Sequence, residues 1–115
     1  MIMKRPGPAG KIRVTFALPS AIWADTIFLV GDFNNWDQRA TPLRQTDVGW
    51  RVTLDLDAGS TYQYRYLHND TEWLNDWNAD GYATNAHGGD NSVVIAAWFG
   101  PSERPDLEQL RRTGV

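Results

Sequence analysis

Asp76, Asn78 and Asp80 fall at alternate positions in the stretch DWNADGYATNAH (76–87), and Gly81 follows them. Oxygen ligands at that spacing ahead of a glycine form the first half of an EF-hand calcium loop, D-x-[DN]-x-[DN]-G-x5-E. The complete loop needs a bidentate carboxylate at its twelfth position and a helix on either side. Here the twelfth position is His87, a poor ligand for a hard cation, and the residues before Asp76 read as strand and turn. The stretch therefore predicts no metal site, and Asx-turns at Asp76, Asn78 and Asp80 that shape a loop. Catalytic chemistry finds as little support. The chain has no cysteine, and neither His68 nor His87 sits in a hydrolase motif. A glycosidase needs two carboxylates held roughly 5 to 9.5 Å apart in a cleft. The 14 acidic residues here are scattered over turns instead. The sequence predicts neither an enzyme nor a cofactor.

The tryptophans are the unusual chemistry. Six in 115 residues is several times the common rate. Tryptophan beyond what a core needs is what a sugar- or peptide-binding surface uses, because a flat amphipathic ring covers a ligand face at little entropy cost. Trp50 sits at an inward strand position and is expected in the core. Trp77 and Tyr82 lie in the 75–90 loop, where they either widen a binding platform or pin the loop to the body. Trp23 and Trp98 flank strands and are given no role.

These residues need strands to position them. KIRVTFAL (11–18) alternates, with Ile12, Val14, Phe16 and Leu18 on one side, and reads as a half-buried strand. DTIFLVGDF (25–33) is a continuous apolar run consistent with a central strand. WRVTLDLD (50–57) alternates again, with Trp50, Val52, Leu54 and Leu56 inward. YQYRYLH (62–68) sets Tyr62, Tyr64 and Tyr66 against Gln63, Arg65 and Leu67. Trp73-Leu74 is a candidate short strand, and NSVVIAA (91–97) the last one. Segments 33–49 and 75–90 read as loops. Residues 1–10, rich in Pro and Gly, read as a disordered lead, and 103–115 hold one short helix at most. Short strands, turn signals and no helix in the body predict an all-β sandwich.

Composition excludes further classes. Net charge is −3, with no basic surplus for a nucleic-acid binder. MIMKRPGPAG lacks the apolar segment of a signal peptide. No apolar run approaches the roughly 18 residues of a membrane span. A cytoplasmic domain is the expectation, spanning residues 11–98 with a C-terminal tail at 99–115.

Three pieces line up in order: VGDFNNW (30–36), YQYRYLHNDTEW (62–73) and GGDNSVVI (88–95). Together they resemble the family-48 carbohydrate-binding modules. These are early-set domains such as the glycogen-binding domain of the AMP-activated protein kinase beta subunit and the N-terminal domains of isoamylases and branching enzymes. The resemblance covers roughly residues 11 to 97. It implies an immunoglobulin-like sandwich that binds α-1,4-glucan such as glycogen, starch or maltooligosaccharide. In the kinase-type domains two tryptophans stack on glucose rings, while a lysine and an asparagine hydrogen-bond hydroxyls. The resemblance places Trp36 and Trp73 at the tryptophans, Arg65 at the lysine and Asn91 at the asparagine. His87 falls near a further family contact that it does not match in type. The residue chemistry agrees independently. Arg65 should point outward if Tyr64 and Tyr66 point inward, and guanidinium and amide groups suit sugar hydroxyls. The rival expectation is a docking module that packs on a separate glucan-metabolising enzyme or kinase, with a decayed sugar site and Glu103–Val115 as a docking element. Retention of both Trp36 and Trp73 favours sugar.

Overall fold

Alternation does most of the folding. In the computed structural model, which describes residues 1–98, it produces nine strands. They are β1 (Ile2–Pro6), β2 (Lys11–Leu18), β3 (Ile27–Gly31), β4 (Arg44–Thr46), β5 (Gly49–Asp57), β6 (Thr61–His68), β7 (Glu72–Leu74), β8 (Gly81–Thr84) and β9 (Asp90–Ile95). All pairings are antiparallel. One sheet runs β1-β2-β5-β4. The other runs β3-β6-β9-β8, with β7 added to β6. The two sheets face each other as an immunoglobulin-like sandwich. Ile12, Val14, Phe16 and Leu18 from β2 meet Leu29, Tyr64, Tyr66 and Val94 between them. The rings of Phe16 and Tyr64 pack edge to face at 5.0 Å, a favourable aromatic geometry. Trp50 is buried in this core, and its indole N–H donates to Ile22 O at 3.2 Å.

The strand β6 organises the site sheet. Its residues 64–68 pair with β3 along one edge. Along the other edge, residues 61–64 pair with β9 and residues 66–68 with β7. Arg65 therefore sits where the neighbour of β6 changes from β9 to β7.

Four features differ from the sequence expectation. The apolar run at β3 is not central in its sheet order. It is nonetheless bonded on both edges, because Leu29 N donates to Thr41 O and Leu43 N to Ile27 O, each at 2.8 Å. Its continuous hydrophobicity reflects burial on both faces: Leu29 faces the core, and Val30, also fully buried, faces the other way. Second, residues 1–10 are not a disordered lead. β1 pairs with β2 from Ile2↔Phe16 to Pro6↔Ile12, and 7–10 form the connecting turn, with Gly7 N bonded to Lys11 O. Lys4 points inward and its ammonium lies 2.7 Å from Asp80, joining the sheets through a buried ion pair. Third, the 75–90 segment contains β8, whose four residues are too short to show a period. Fourth, β4 stands within the 33–49 segment that reads as loop, pairing Arg44–Thr46 with β5. The helix expected within 103–115 lies outside the described residues.

Candidate functional site

The first site loop is built by the residues GDFNNW. Gly31 closes β3 in an extended conformation, and a Cβ there would lie 2.6 Å from Gln63 O and 2.8 Å from Tyr64 Cβ. Only glycine permits this approach of β3 to β6. A single 3-10 turn follows at Asp32–Asn34. Asn34 holds it from beneath: its carbonyl accepts from Gly31 N at 3.1 Å, and its amide donates to Leu29 O at 2.9 Å and Thr41 Oγ1 at 3.0 Å. Asn35 and Trp36 then both take the left-handed conformation, each with φ of 57°. Asparagine tolerates that region; a bulky tryptophan does so at a cost of about 1 kcal/mol. Two bonds offset the cost. Trp36 N donates to Gly31 O at 2.9 Å, and the indole N–H donates to Asp32 Oδ1 at 2.8 Å. Asp32 is itself fixed, since its Oδ2 accepts from Gln63 N at 2.8 Å.

The other residues arrive from β6, β7 and the β8–β9 turn. Arg65, directly opposite Val30, faces away from Tyr64 and Tyr66 and so away from the core. Trp73 pairs with Leu67 and is 38% exposed. Leu67 and Val30 are buried on this outer face, so a thin apolar layer lies beneath the site. Asn91 is the second residue of β9 and is only 8% exposed.

The β8–β9 turn is closed by Asn85. Its carbonyl oxygen accepts from His87 N at 2.9 Å and Gly89 N at 3.1 Å, and its backbone N–H donates to Gly89 O at 2.8 Å. Its amide nitrogen donates to Asn91 Oδ1 at 3.3 Å, and Asn91 Nδ2 donates onward to Gln63 Oε1 at 3.0 Å. Arg65 reaches this turn too, because a Cβ at Gly89 would lie 3.4 Å from Arg65 Nη2. Arg65 Nε is buried with no hydrogen-bond partner among the described residues.

These elements enclose an open concavity of about 450 Å³ lined by Trp36, Arg65, Trp73, Asn85, Ala86, His87 and Asn91. That volume lies within the range of about 300–1,000 Å³ typical of ligand clefts. All five residues singled out from the sequence line it. Asn85, Ala86 and the supporting Asp32 and Gln63 were not singled out. For Asn85 a signal existed, since an asparagine opening a glycine-bearing turn is an Asx-turn former.

The sequence also places the chain in a known family. Residues 9–83 match the carbohydrate-binding module 48 family, the isoamylase N-terminal domain. The chain belongs to that family. Relatives of this module 48 chain include 1,4-alpha-glucan branching enzymes. It is 31% identical to the one from Frankia casuarinae over 94% of this chain and 14% of the enzyme. For Novosphingobium aromaticivorans the figures are 38%, 71% and 10%. It is also 25% identical to an AA13 family lytic polysaccharide monooxygenase of Aspergillus terreus, over 78% of this chain and 26% of that protein. The chain thus spans a small fraction of the length of these relatives.

Within this module the calcium-like stretch has an internal role. Asp76 is fully buried. Its Oδ2 accepts from the hydroxyls of Tyr64 at 2.9 Å and Tyr66 at 3.1 Å, and its Oδ1 takes Asn78 N at 3.0 Å and the amino group of Met1. Ser92 Oγ receives Asp76 N, and the Tyr82 hydroxyl donates to Asp76 O. Asp80 turns elsewhere, to Lys4 and to Ile95 N. Asp76 makes the expected Asx-type bond to Asn78 N, but its main work is to tie the loop to two core tyrosines. Trp77 is 64% exposed, so the pinning of this loop falls to Asp76 and the Tyr82 hydroxyl.

Proposed function

We propose that the protein binds α-1,4-glucan noncovalently, as glycogen, starch or maltooligosaccharide. Trp36 and Trp73 stack on pyranose faces, Arg65 and Asn91 hydrogen-bond hydroxyls, and His87 borders the site. The observation that carries this reading is the gathering of two partly exposed indoles, a guanidinium and a buried amide in one open concavity on the non-core face of β6. An indole covers the apolar C–H face of a sugar, and the planar donors beside it meet the hydroxyls at its rim. Arginine where the kinase-type domains carry lysine keeps the charge and adds a forked donor geometry. The protein holds and does not cleave the glucan.

Few rings are covered and hydroxyl desolvation is only partly offset, so affinity for short oligosaccharides is expected at about micromolar to millimolar Kd. Tryptophan fluorescence titrated with maltoheptaose or β-cyclodextrin tests the reading. Wild type should show a saturable change, and Trp36→Ala and Trp73→Ala should each weaken binding by about tenfold or more. A folded wild type with no response at millimolar ligand would sink it.

One observation favours a second role alongside the first. The matched relatives carry the aligned region within far longer enzymes. A module of this kind can hold a partner enzyme beside its polysaccharide. Co-sedimentation of a candidate enzyme with glycogen, with and without this protein, tests that role.

A further inference from the structure

Asn91 spends half of its amide's bonding capacity on the protein, and the direction in which it does so is fixed from outside. The backbone N–H groups of His87 and Gly89 can only donate, so the Asn85 atom that receives both must be its oxygen. The other end of the Asn85 amide is then a donor, and the Asn91 atom that accepts from it must be Oδ1. Asn91 Nδ2 is thereby turned toward Gln63, whose facing atom must be Oε1. Three amides stand in series, and a turn of the main chain sets the polarity of all three. One Nδ2 hydrogen and one Oδ1 lone pair remain on Asn91, and they cannot exchange places without breaking the series.

We propose that Asn85 is a positioning residue of the glucan site: through the Asn85–Asn91–Gln63 relay it fixes which way the Asn91 amide meets a sugar. The proposal rests on the glucan-binding reading. Without the relay, both orientations of a small amide are nearly equal in energy, and half of the population would present the wrong group. With it, a pair of neighbouring hydroxyls meets a donor and an acceptor in one set order. Asn85 itself lines the concavity, and its Nδ2 and Arg65 Nη2 both lie beside Gly89, each 3.4 Å from where a Cβ would stand.

Substitutions of matched shape separate this role from plain stability. N85D keeps the acceptor for both backbone N–H groups but offers Asn91 an oxygen in place of a donor, which reverses the relay. Q63E keeps the acceptor that Asn91 Nδ2 already uses and leaves the relay as it stands. Both together place Asn91 between two acceptors. Binding of maltoheptaose should be about tenfold weaker in N85D. The double variant, in which position 63 competes again for Asn91 Nδ2, should recover part of that loss, so the effects of the two substitutions do not multiply. The readout that needs no ligand is the NOE pattern of the Asn91 side-chain NH2 protons. They should face Gln63 in the wild type and residue 85 in N85D. If N85D does not fold, Q63K imposes the same conflict from the other end and must weaken binding comparably. Wild-type binding with an unchanged affinity in folded N85D, or single losses that simply multiply, overturns the relay alone. A wild type that does not bind glucan removes the reading beneath it, and the relay's role with it.

Discussion

Trp36 sets the terms at the scale of single residues. It holds a backbone conformation that bulky residues avoid, and Asp32 receives its indole N–H there. Asp32→Ala should release the ring, cost about 1 kcal/mol in urea unfolding, and weaken maltoheptaose binding by about tenfold. The Trp36 indole resonance in a proton–nitrogen spectrum should shift with it. If the affinity holds while that resonance moves, the orientation of Trp36 matters less than its presence. Gly31 is the second critical residue. A methyl group there meets the Gln63 carbonyl oxygen inside van der Waals contact, so Gly31→Ala should cost about 1–3 kcal/mol by forcing β3 from β6. Chemical denaturation checks this directly, and an unchanged midpoint would mean that the strand edge yields freely.

At the scale of elements, β6 collects the site because its neighbour changes at Arg65, bringing β7 and β9 to the same edge in tandem. The opposite sheet carries a cost that the register exposes. Arg44 on β4 lies directly opposite Arg51 on β5. Like charges in that position repel. Arg5 likewise lies opposite Arg13, but Asp55 compensates there through its bond to Arg13 at 2.8 Å. Arg44→Glu should therefore stabilise the fold by about 0.5 kcal/mol at low salt, and the gain should shrink as salt is added. A thermal melt at two ionic strengths decides it. The Asp55 carboxyl is held below the usual range by its hydrogen bond to Arg13. Its contribution is present above the ordinary aspartate range and is lost as pH falls through the lowered value.

At the scale of the whole molecule, Asp76 ties the loop ahead of β8 to Tyr64 and Tyr66 in the core. Asp76→Ala would leave both phenol hydroxyls unpaired in the interior and should destabilise the protein by about 3–5 kcal/mol. Burial first, and the Asp76 carboxylate second, push both phenols well above their ordinary range. The sign follows from proton counting. Above about pH 10 an unfolded tyrosine loses its proton while these two keep theirs. The unfolded state then binds fewer protons, so stability falls as pH rises, by about 1.4 kcal/mol per pH unit for each tyrosine. Below that range their contribution is complete. The tyrosinate absorbance of these two should appear together with loss of circular dichroism. Ionisation of all four tyrosines ahead of unfolding would contradict the burial argument.

The sequence by itself determined the sandwich, most of its strands and five residues that line the concavity. Alternation in β2, β5 and β6 is local and written in consecutive residues, so Tyr64 inward and Arg65 outward follow from a period of two. The ordered pieces around Trp36, Arg65 and Asn91 carried the family likeness. Only the tertiary structure decided the rest. β1 exists because Ile2 and Lys4 find Phe16, Val14 and Asp80, contacts invisible in a stretch of Pro and Gly. Asp76 reads only as an Asx-turn former until Tyr64, Tyr66 and Ser92 are brought to it from other strands. Asn85 and Gln63 lie 22 residues apart in the chain and meet only through Asn91. Burial patterns are periodic and local, whereas polar networks join single atoms across the fold and leave no period behind.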